Sequence, residues 1–443
     1  MNEQTLIDQA RKSAVAIGGD LPDYDDLLEL IGDARIVLLG EASHGTHEFY
    51  LHRAEITKRL ITEKGFRTVA VEADWPDAYR VNRFVRGIGT DGSALESLRN
   101  FERFPTWMWR NEDVLKLVGW LHQFNEDRGH AEQAGFYGVD LYSLFSSIEE
   151  VIRYLEKVDP DGAERARERY ACFDHFEDNS QAYGYASSLG ISRDCENEVV
   201  SQLIDIRRRY ADYASRDGQI PRDEAFYAEQ NARLVANAEE YYRSMFGGRT
   251  STWNLRDRHM ADTIEALSNH FRKQGGNGRV VVWEHNSHLG DARATEMSQR
   301  GELNVGQLMR ERYGEDCRSI GFTTHTGYVT AASAWDGPAE KKEVRPSLPE
   351  SYENLFHRFE IGDFWLPLRN NESVSGLEHP RLERAIGVIY RPETERMSHY
   401  FHASIRRQFD GIFHIDVTGP VEELAAPSPE HPAEAPETFP SGI

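Results

Sequence analysis

Four short apolar runs, each closed by a glycine, an acid or a histidine, constrain this chain more than any other feature. They are Arg35-Ile36-Val37-Leu38-Leu39, Arg67-Thr68-Val69-Ala70-Val71-Glu72, Gly135-Phe136-Tyr137-Gly138-Val139-Asp140 and Arg279-Val280-Val281-Val282-Trp283. Apolar runs rich in β-branched residues, without polar alternation, read as strands covered on both faces, as in parallel sheets. Helical periods lie between them. Phe49, Ile56 and Leu60 share one face of a helix over about 47–64, with Arg53 on the same stripe, and Val114, Leu117, Val118 and Leu121 share another over about 111–125. Strands alternating with helices predict an α/β fold, a mainly parallel sheet flanked by helices.

From 143 to about 275 the pattern turns almost wholly helical. Val199, Leu203, Ile206, Tyr210 and Tyr213 recur at intervals of four and three, opposite strongly charged faces. A large helical insertion of this kind predicts a cap beside the cleft of the sheet. The flanking segments read as a short amphipathic helix over 4–17, a helix over about 303–313 and β-like stretches at 318–331, 383–390 and 412–417. Residues 1–424 therefore form one unit, and the Pro/Glu/Ala-rich tail 425–443 is expected to be disordered.

The charge balance narrows the partners. With 74 acidic against 51 basic residues, the formal net charge is −23, which would repel nucleic acid and anionic membranes alike. No apolar run is long enough to span a bilayer, and the polar start Met1-Asn2-Glu3-Gln4 lacks the basic and apolar regions of a signal peptide, so a cytoplasmic location is the expectation. Cys172, Cys195 and Cys317 show no metal spacing and read as structural thiols. Oligomeric state is not legible.

The chemistry should sit where the strands end. Gly40-Glu41-Ala42-Ser43-His44-Gly45 follows the first run, Glu72 closes the second, Asp140 the third, and Glu284-His285-Asn286-Ser287-His288 follows the fourth. Open parallel sheets keep their sites at the carboxyl ends of strands. Two chemistries fit. In one, a histidine draws a proton from water attacking an ester carbonyl, a glutamate orients the ring, and Arg53 holds a carboxylate or stabilises an oxyanion. In the other, Glu and His residues ligate a divalent metal that makes the hydroxide. A non-catalytic protein holding a metabolite or polysaccharide in the same crevice is a third reading. The chain has no Gly-x-Ser-x-Gly elbow, P-loop or Gly-x-Gly-x-x-Gly turn, so a serine hydrolase of the α/β-hydrolase type and a nucleotide cofactor lack support. Trp75, Trp107 and Trp109 are candidates to line a pocket for a large apolar or sugar-bearing substrate, with Asp140 beside them. Arg256 and Asp257 read as an ion pair positioning the insertion.

Taken together, these segments resemble the erythromycin esterase family. The resemblance rests on Gly40 to Gly45 with Glu48-Phe49 and Arg53, Val71-Glu72-Ala73-Asp74, Tyr137-Gly138-Val139-Asp140 and Trp283 to His288, with Asn254-Leu255-Arg256-Asp257 and Ser398-His399-Tyr400-Phe401 as later echoes, over roughly 15–420. It implies an α/β core with a helical part bordering a cleft, and hydrolysis of a small-molecule ester or macrolide lactone. It further implies His44 as the general base, with Glu41, Glu72, Arg53, His285 and His288 completing the site. No cofactor is assigned, and a divalent metal stays open. Glu284 stands where the family pattern suggests a small residue. A carboxylate there is expected to raise the pKa of His285.

Overall fold

The computed structural model describes residues 3–18, 23–176, 179–191, 194–215, 219–246 and 249–425. The tail expected to be disordered lies outside them, apart from Ala425.

Eleven strands occur among the described residues: β1 Val15–Ala16, β2 Ile36–Leu39, β3 Thr68–Asp74, β4 Gly135–Asp140, β5 Val280–Trp283, β6 Cys317–Ala331, β7 Glu340–Val344, β8 Phe364–Pro367, β9 Arg381–Arg384, β10 Tyr400–Ala403 and β11 Gly411–Thr418. Nine form one sheet, in the order β1-β8-β11-β6-β2-β5-β3-β4, with β7 paired to β6. The run β11-β6-β2-β5-β3-β4 is parallel throughout, whereas β8, β1 and β7 join antiparallel. The mainly parallel α/β sheet is therefore present. Its central strands read as unbroken apolar runs because both faces are covered. Val37, Leu39, Val71, Val281 and Trp283 enter one core, while Ile36, Leu38, Ala70, Val280 and Val282 enter the other.

The topology sets the site. β2, β5, β3 and β4 are consecutive neighbours, and Leu39, Trp283, Val71 and Gly138 lie in register across them. The residues that follow these four therefore emerge side by side along one edge. Neighbouring strands are about 4.8 Å apart, so the row is about 15 Å long.

Between β4 and β5 run the helices Leu144–Val158, Pro160–Tyr170, Ser180–Ser188, Glu196–Ala214, Gln219–Ser244 and Arg249–Lys273. A stacked aromatic group, with Tyr79 and Tyr227 3.8 Å apart and Trp75 against Tyr137, ties this insertion to the sheet. Buried Asp223 adds an anchor, accepting from Arg86 at 2.8 Å and pairing with His270 at 2.7 Å.

Several expectations are corrected. The helix placed over 4–17 ends at Arg11, and Val15–Ala16 pairs with Phe364–Trp365 as an edge strand too short to show a period. The β-like stretch 383–390 is strand only to Arg384. Cys172 and Cys195 are joined by a disulfide rather than left as thiols, and Cys317 is free and buried. The pairing was invisible because nothing in the spacing brings position 172 beside 195 until the insertion helices pack. No helix among the described residues is long and apolar enough to cross a membrane.

Candidate active site

The segment after β2 turns sharply, and its two glycines are required by close approach. A Cβ on Gly45 would lie 1.8 Å from the Thr330 carbonyl oxygen, and one on Gly40 would lie 2.1 Å from the Asn286 side-chain oxygen. The Thr330 N–H in turn donates to the Gly45 carbonyl at 3.0 Å. Asn286 joins the end of β5 to β6, donating to the Phe322 carbonyl at 2.7 Å. The loops carrying His44 and His285 are thereby locked to a common backbone frame.

His44 is held from behind. Its Nδ1 lies 2.9 Å from Glu41 Oε1. A carboxylate only accepts, so Nδ1 carries the proton and Nε2 keeps its lone pair. The other Glu41 oxygen accepts from Arg53. Arg53 is completely buried, its guanidinium 4.4 Å from the Tyr50 ring and 4.7 Å from that of Trp283. It does not line the cavity, so of the two uses expected of it, the structure provides the carboxylate support and not the oxyanion contact.

Glu72 occupies the centre of the row. One oxygen accepts the His285 backbone N–H at 2.9 Å and the other accepts from Arg256 at 2.8 Å, with His288 Nε2 3.5 Å away. Burial works against its charge, but His288, His44 and Arg256 outweigh it and hold the carboxyl well below the usual range. Arg256 also makes a two-pronged contact with Asp140 at 2.9 and 2.6 Å. His288 is the second histidine with an acid behind it. Its Nδ1 is 3.0 Å from Asp257, and the Trp253 ring stacks on it at 4.6 Å. Burial opposes its charge, yet Asp257 and Glu72 raise its pKa above the ordinary imidazole value.

Arg256 and Asp257 do not pair with each other. Adjacent residues on a helix point about 100° apart, so Arg256 reaches Glu72 and Asp140, while Asp257 takes His288 and the Val305 N–H. Both belong to the site, and Asn-Leu-Arg-Asp at 254–257 was the sequence signal for them. Trp253 had no such signal beyond its place one residue earlier.

Glu284 departs from expectation. It is fully buried, both its oxygens lack partners, and burial together with Glu72 pushes its pKa well above the carboxylate range. Protonated, it cannot raise the pKa of His285, which burial and the nearby His44 depress well below its ordinary value.

His44, Glu72, Asp140, Arg256, His285 and His288 all face one cavity of about 180 Å³. On the same measure a single water needs roughly 10–15 Å³, so the space suits an organic substrate. The floor is ionic, and Phe101, Phe104, Met108, Trp335, Ile389 and Phe401 supply much of the upper wall. Trp109 lines this cavity, its indole N–H donating to the Glu72 carbonyl at 3.0 Å. Trp75 and Trp107, expected beside it, are buried in core clusters away from the cavity, because each indole packs among neighbouring rings instead. The carboxylates best placed to ligate a cation, Glu41, Glu72 and Asp140, are already paired with Arg53 or Arg256. Among the described residues no group of three or more His, Cys, Asp or Glu is arranged to hold a metal ion.

A mainly parallel α/β sheet with paired histidines and carboxylates in a row at its strand ends is the arrangement to be compared with known proteins. The erythromycin esterase family model matches residues 61–418, and the chain belongs to that family. It is 25% identical over 428 residues to an erythromycin esterase type II of Escherichia coli, covering 89% of this chain and 92% of that one. It is 22% identical over 415 residues to a putative hydrolase, YbfO, of Bacillus subtilis (strain 168), covering 89% and 86%. Among solved structures, a protein described as a succinoglycan biosynthesis protein superposes with a TM-score of 0.77 at 22% identity over 95% of this chain and 98% of that one. A mutant erythromycin esterase, EreC, in its open conformation superposes with a TM-score of 0.64 at 17% identity over 93% and 98%. The protein is a hydrolase of this family with a small-molecule substrate.

Proposed function

We propose that this chain hydrolyses a carboxylic ester or lactone with a water molecule activated by His44. The observation that supports this most is the Arg53–Glu41–His44 chain, which fixes the tautomer and leaves Nε2 facing the cavity. Water donates a proton to Nε2 as its oxygen bonds the carbonyl carbon. Glu41 stabilises the imidazolium that forms, and His44 returns that proton to the alkoxy oxygen as the carbon–alkoxy bond breaks and the tetrahedral intermediate collapses to acid and alcohol. Glu72 and Arg256 keep the floor polarised and rigid. The apolar upper wall favours a substrate with substantial hydrocarbon surface. The metal-dependent reading on the same Glu/His cluster has less support, since its carboxylates Glu41 and Glu72 are paired with Arg53 and Arg256.

The test is a screen of esters and lactones, macrolides included, against wild type and His44→Ala. Hydrolysis by wild type that falls about 10²–10⁴-fold in the variant supports the reading. Turnover that is equal in the two proteins, or absent from both, overturns it.

A further inference from the structure

A pocket of about 460 Å³ opens near the start of β6, where Cys317 pairs with Ile36, away from the strand ends that carry the cluster around His44. Four arginines line it: Arg293, Arg310 on the Val305–Tyr313 helix, Arg369 just after β8 and Arg406 on the Ile405–Gln408 helix. Two of the lining carboxylates are buried, Asp291 and Asp410, with side chains 7% and 5% exposed. Asp291 accepts from Arg293 at 2.9 and 2.7 Å, and Asp410 accepts from Arg310 at 3.2 Å and from Arg369 at 2.9 Å. Burial opposes the charge on Asp291, but Arg293 and Arg310 hold its pKa below the ordinary value. These two acids fix three of the guanidinium groups in place. The carboxylates of Glu315, Glu372 and Glu378, in contrast, are 55–88% exposed. Glu315 engages Arg369, while Glu372 and Glu378 accept from Arg406 at 3.2 and 2.6 Å. Among the described residues, Arg406 pairs with no buried acid.

We propose that this pocket binds the phosphate of a small organic phosphomonoester, held chiefly by Arg369 and Arg406 and flanked by Arg293 and Arg310. Four guanidinium groups face two buried carboxylates, a local cationic surplus in a chain whose formal net charge is −23. Exposed ion pairs contribute little, so the glutamates on Arg369 and Arg406 are readily displaced by a better anion. A monocarboxylate brings one charge and two oxygens, which suit a single guanidinium fork. A phosphomonoester brings nearly two charges and three acceptor oxygens, enough for two forks at once. Arginine is the side chain whose planar donors match that geometry, and the buried acids behind three of the four reduce the cost of ordering them. The volume falls within the range of small-molecule sites and exceeds what a bare phosphate fills. Leu368 and Phe409 offer apolar contact, and Asn370 a polar one, to the organic part. The site is separate from the hydrolytic cavity and does not depend on the ester-hydrolysis reading.

Isothermal titration calorimetry of the full chain at low salt tests this, with glucose 6-phosphate, inorganic phosphate and glucose as probes. Glucose 6-phosphate should bind one to one and more tightly than inorganic phosphate, and glucose should give no binding heat. Arg406→Gln should weaken the binding about 10–100-fold, the usual worth of a hydrogen bond to a charged group. Arg406→Lys, which keeps the charge and loses the fork, should lose less. Glu378→Gln, which removes a competing carboxylate, should tighten binding, an effect that a purely structural ion pair would not produce. Arg59→Gln removes a guanidinium paired with exposed Asp25 and Glu63 elsewhere and should leave the affinity unchanged. Thermal melts verify that each variant is folded. Absence of saturable binding by either phosphate overturns the proposal, as does glucose 6-phosphate binding no tighter than inorganic phosphate. So does an affinity that Arg406→Gln leaves unchanged, that Glu378→Gln fails to raise, or that Arg59→Gln lowers as much as Arg406→Gln. All of these outcomes leave the ester-hydrolysis reading standing, and loss of that reading leaves this site standing.

Discussion

The support beneath His44 gives the sharpest stability prediction. Arg53 and Glu41 have side chains 0% and 1% exposed and pair with each other, and two of the Arg53 nitrogens, Nε and Nη1, have no other partner. Replacing Arg53 with methionine keeps the bulk between Tyr50 and Trp283 but leaves the Glu41 charge buried without its cation. Breaking one side of a buried pair costs about 3–5 kcal/mol, whereas removing both charges can be close to neutral. Stabilities of folded proteins are about 5–15 kcal/mol, so Arg53→Met should take about a fifth or more of the total. Glu41→Gln should cost a similar amount by stranding Arg53, and the double variant should cost no more than either single change. The assay is urea unfolding of the four proteins followed by tryptophan fluorescence, with the denaturant slope checked for constancy. Strictly additive losses, or an Arg53→Met loss below about 1 kcal/mol, would refute the claim that this pair is one electrostatic unit.

Further expectations follow from the same contacts. Gly45→Ala should lose at least about 2 kcal/mol and most activity, because its Cβ would meet the Thr330 carbonyl at 1.8 Å; a thermal shift within one degree of wild type would contradict this. His288 has a raised pKa, so its contribution to stability is full below about pH 6.5 and is lost as pH rises through its folded value. Asp257→Asn should therefore destabilise more at pH 5.5 than at pH 9, and a penalty that grows with pH would be inconsistent with the pairing. Burial lowers the pKa of His52 to about 4, so stability should fall as pH drops from about 6.5 towards 4, and thermal melts of His52→Phe should show a shallower acid slope. An unchanged slope would remove His52 from the acid response. The Cys172–Cys195 disulfide spans 23 residues, which corresponds to about 3 kcal/mol of loop entropy, so Cys172→Ser should lower the melting temperature. Free thiol at both positions in the isolated native protein would deny the bridge.

Much of this arrangement was legible in the sequence because it obeys local rules. The strands β2 to β5 betray themselves as apolar runs, since a sheet covered on both faces admits no polar alternation. The His47–Lys64 helix follows from its period, and the gathering of Glu72, His285 and His288 around His44 follows from where parallel strands end. The exceptions depended on the third dimension. Arg256 and Asp257 lie on an insertion helix more than a hundred residues from Glu72 in the chain, and only helix packing shows that one points to strand ends and the other to His288. Trp75 and Trp107 look like Trp109 in composition but bury their rings in the core. Glu284 reads as a charged neighbour of His285 until its burial beside Glu72 makes the neutral form the stable one. The antiparallel strands β1, β7 and β8 were missed because their pairing depends on partners distant in sequence, not on a period of their own.

The general base is the central claim, and chemical rescue tests it most directly. On an ester or lactone that wild type hydrolyses, His44→Ala should be slower by about 10²–10⁴-fold, and added imidazole should restore part of kcat with saturation, since the deletion opens a hole beside Glu41 and the cavity. A variant that keeps wild-type turnover would place the base elsewhere in the cluster. An inactive variant whose fold is intact but which imidazole leaves unchanged would contradict the role assigned to His44.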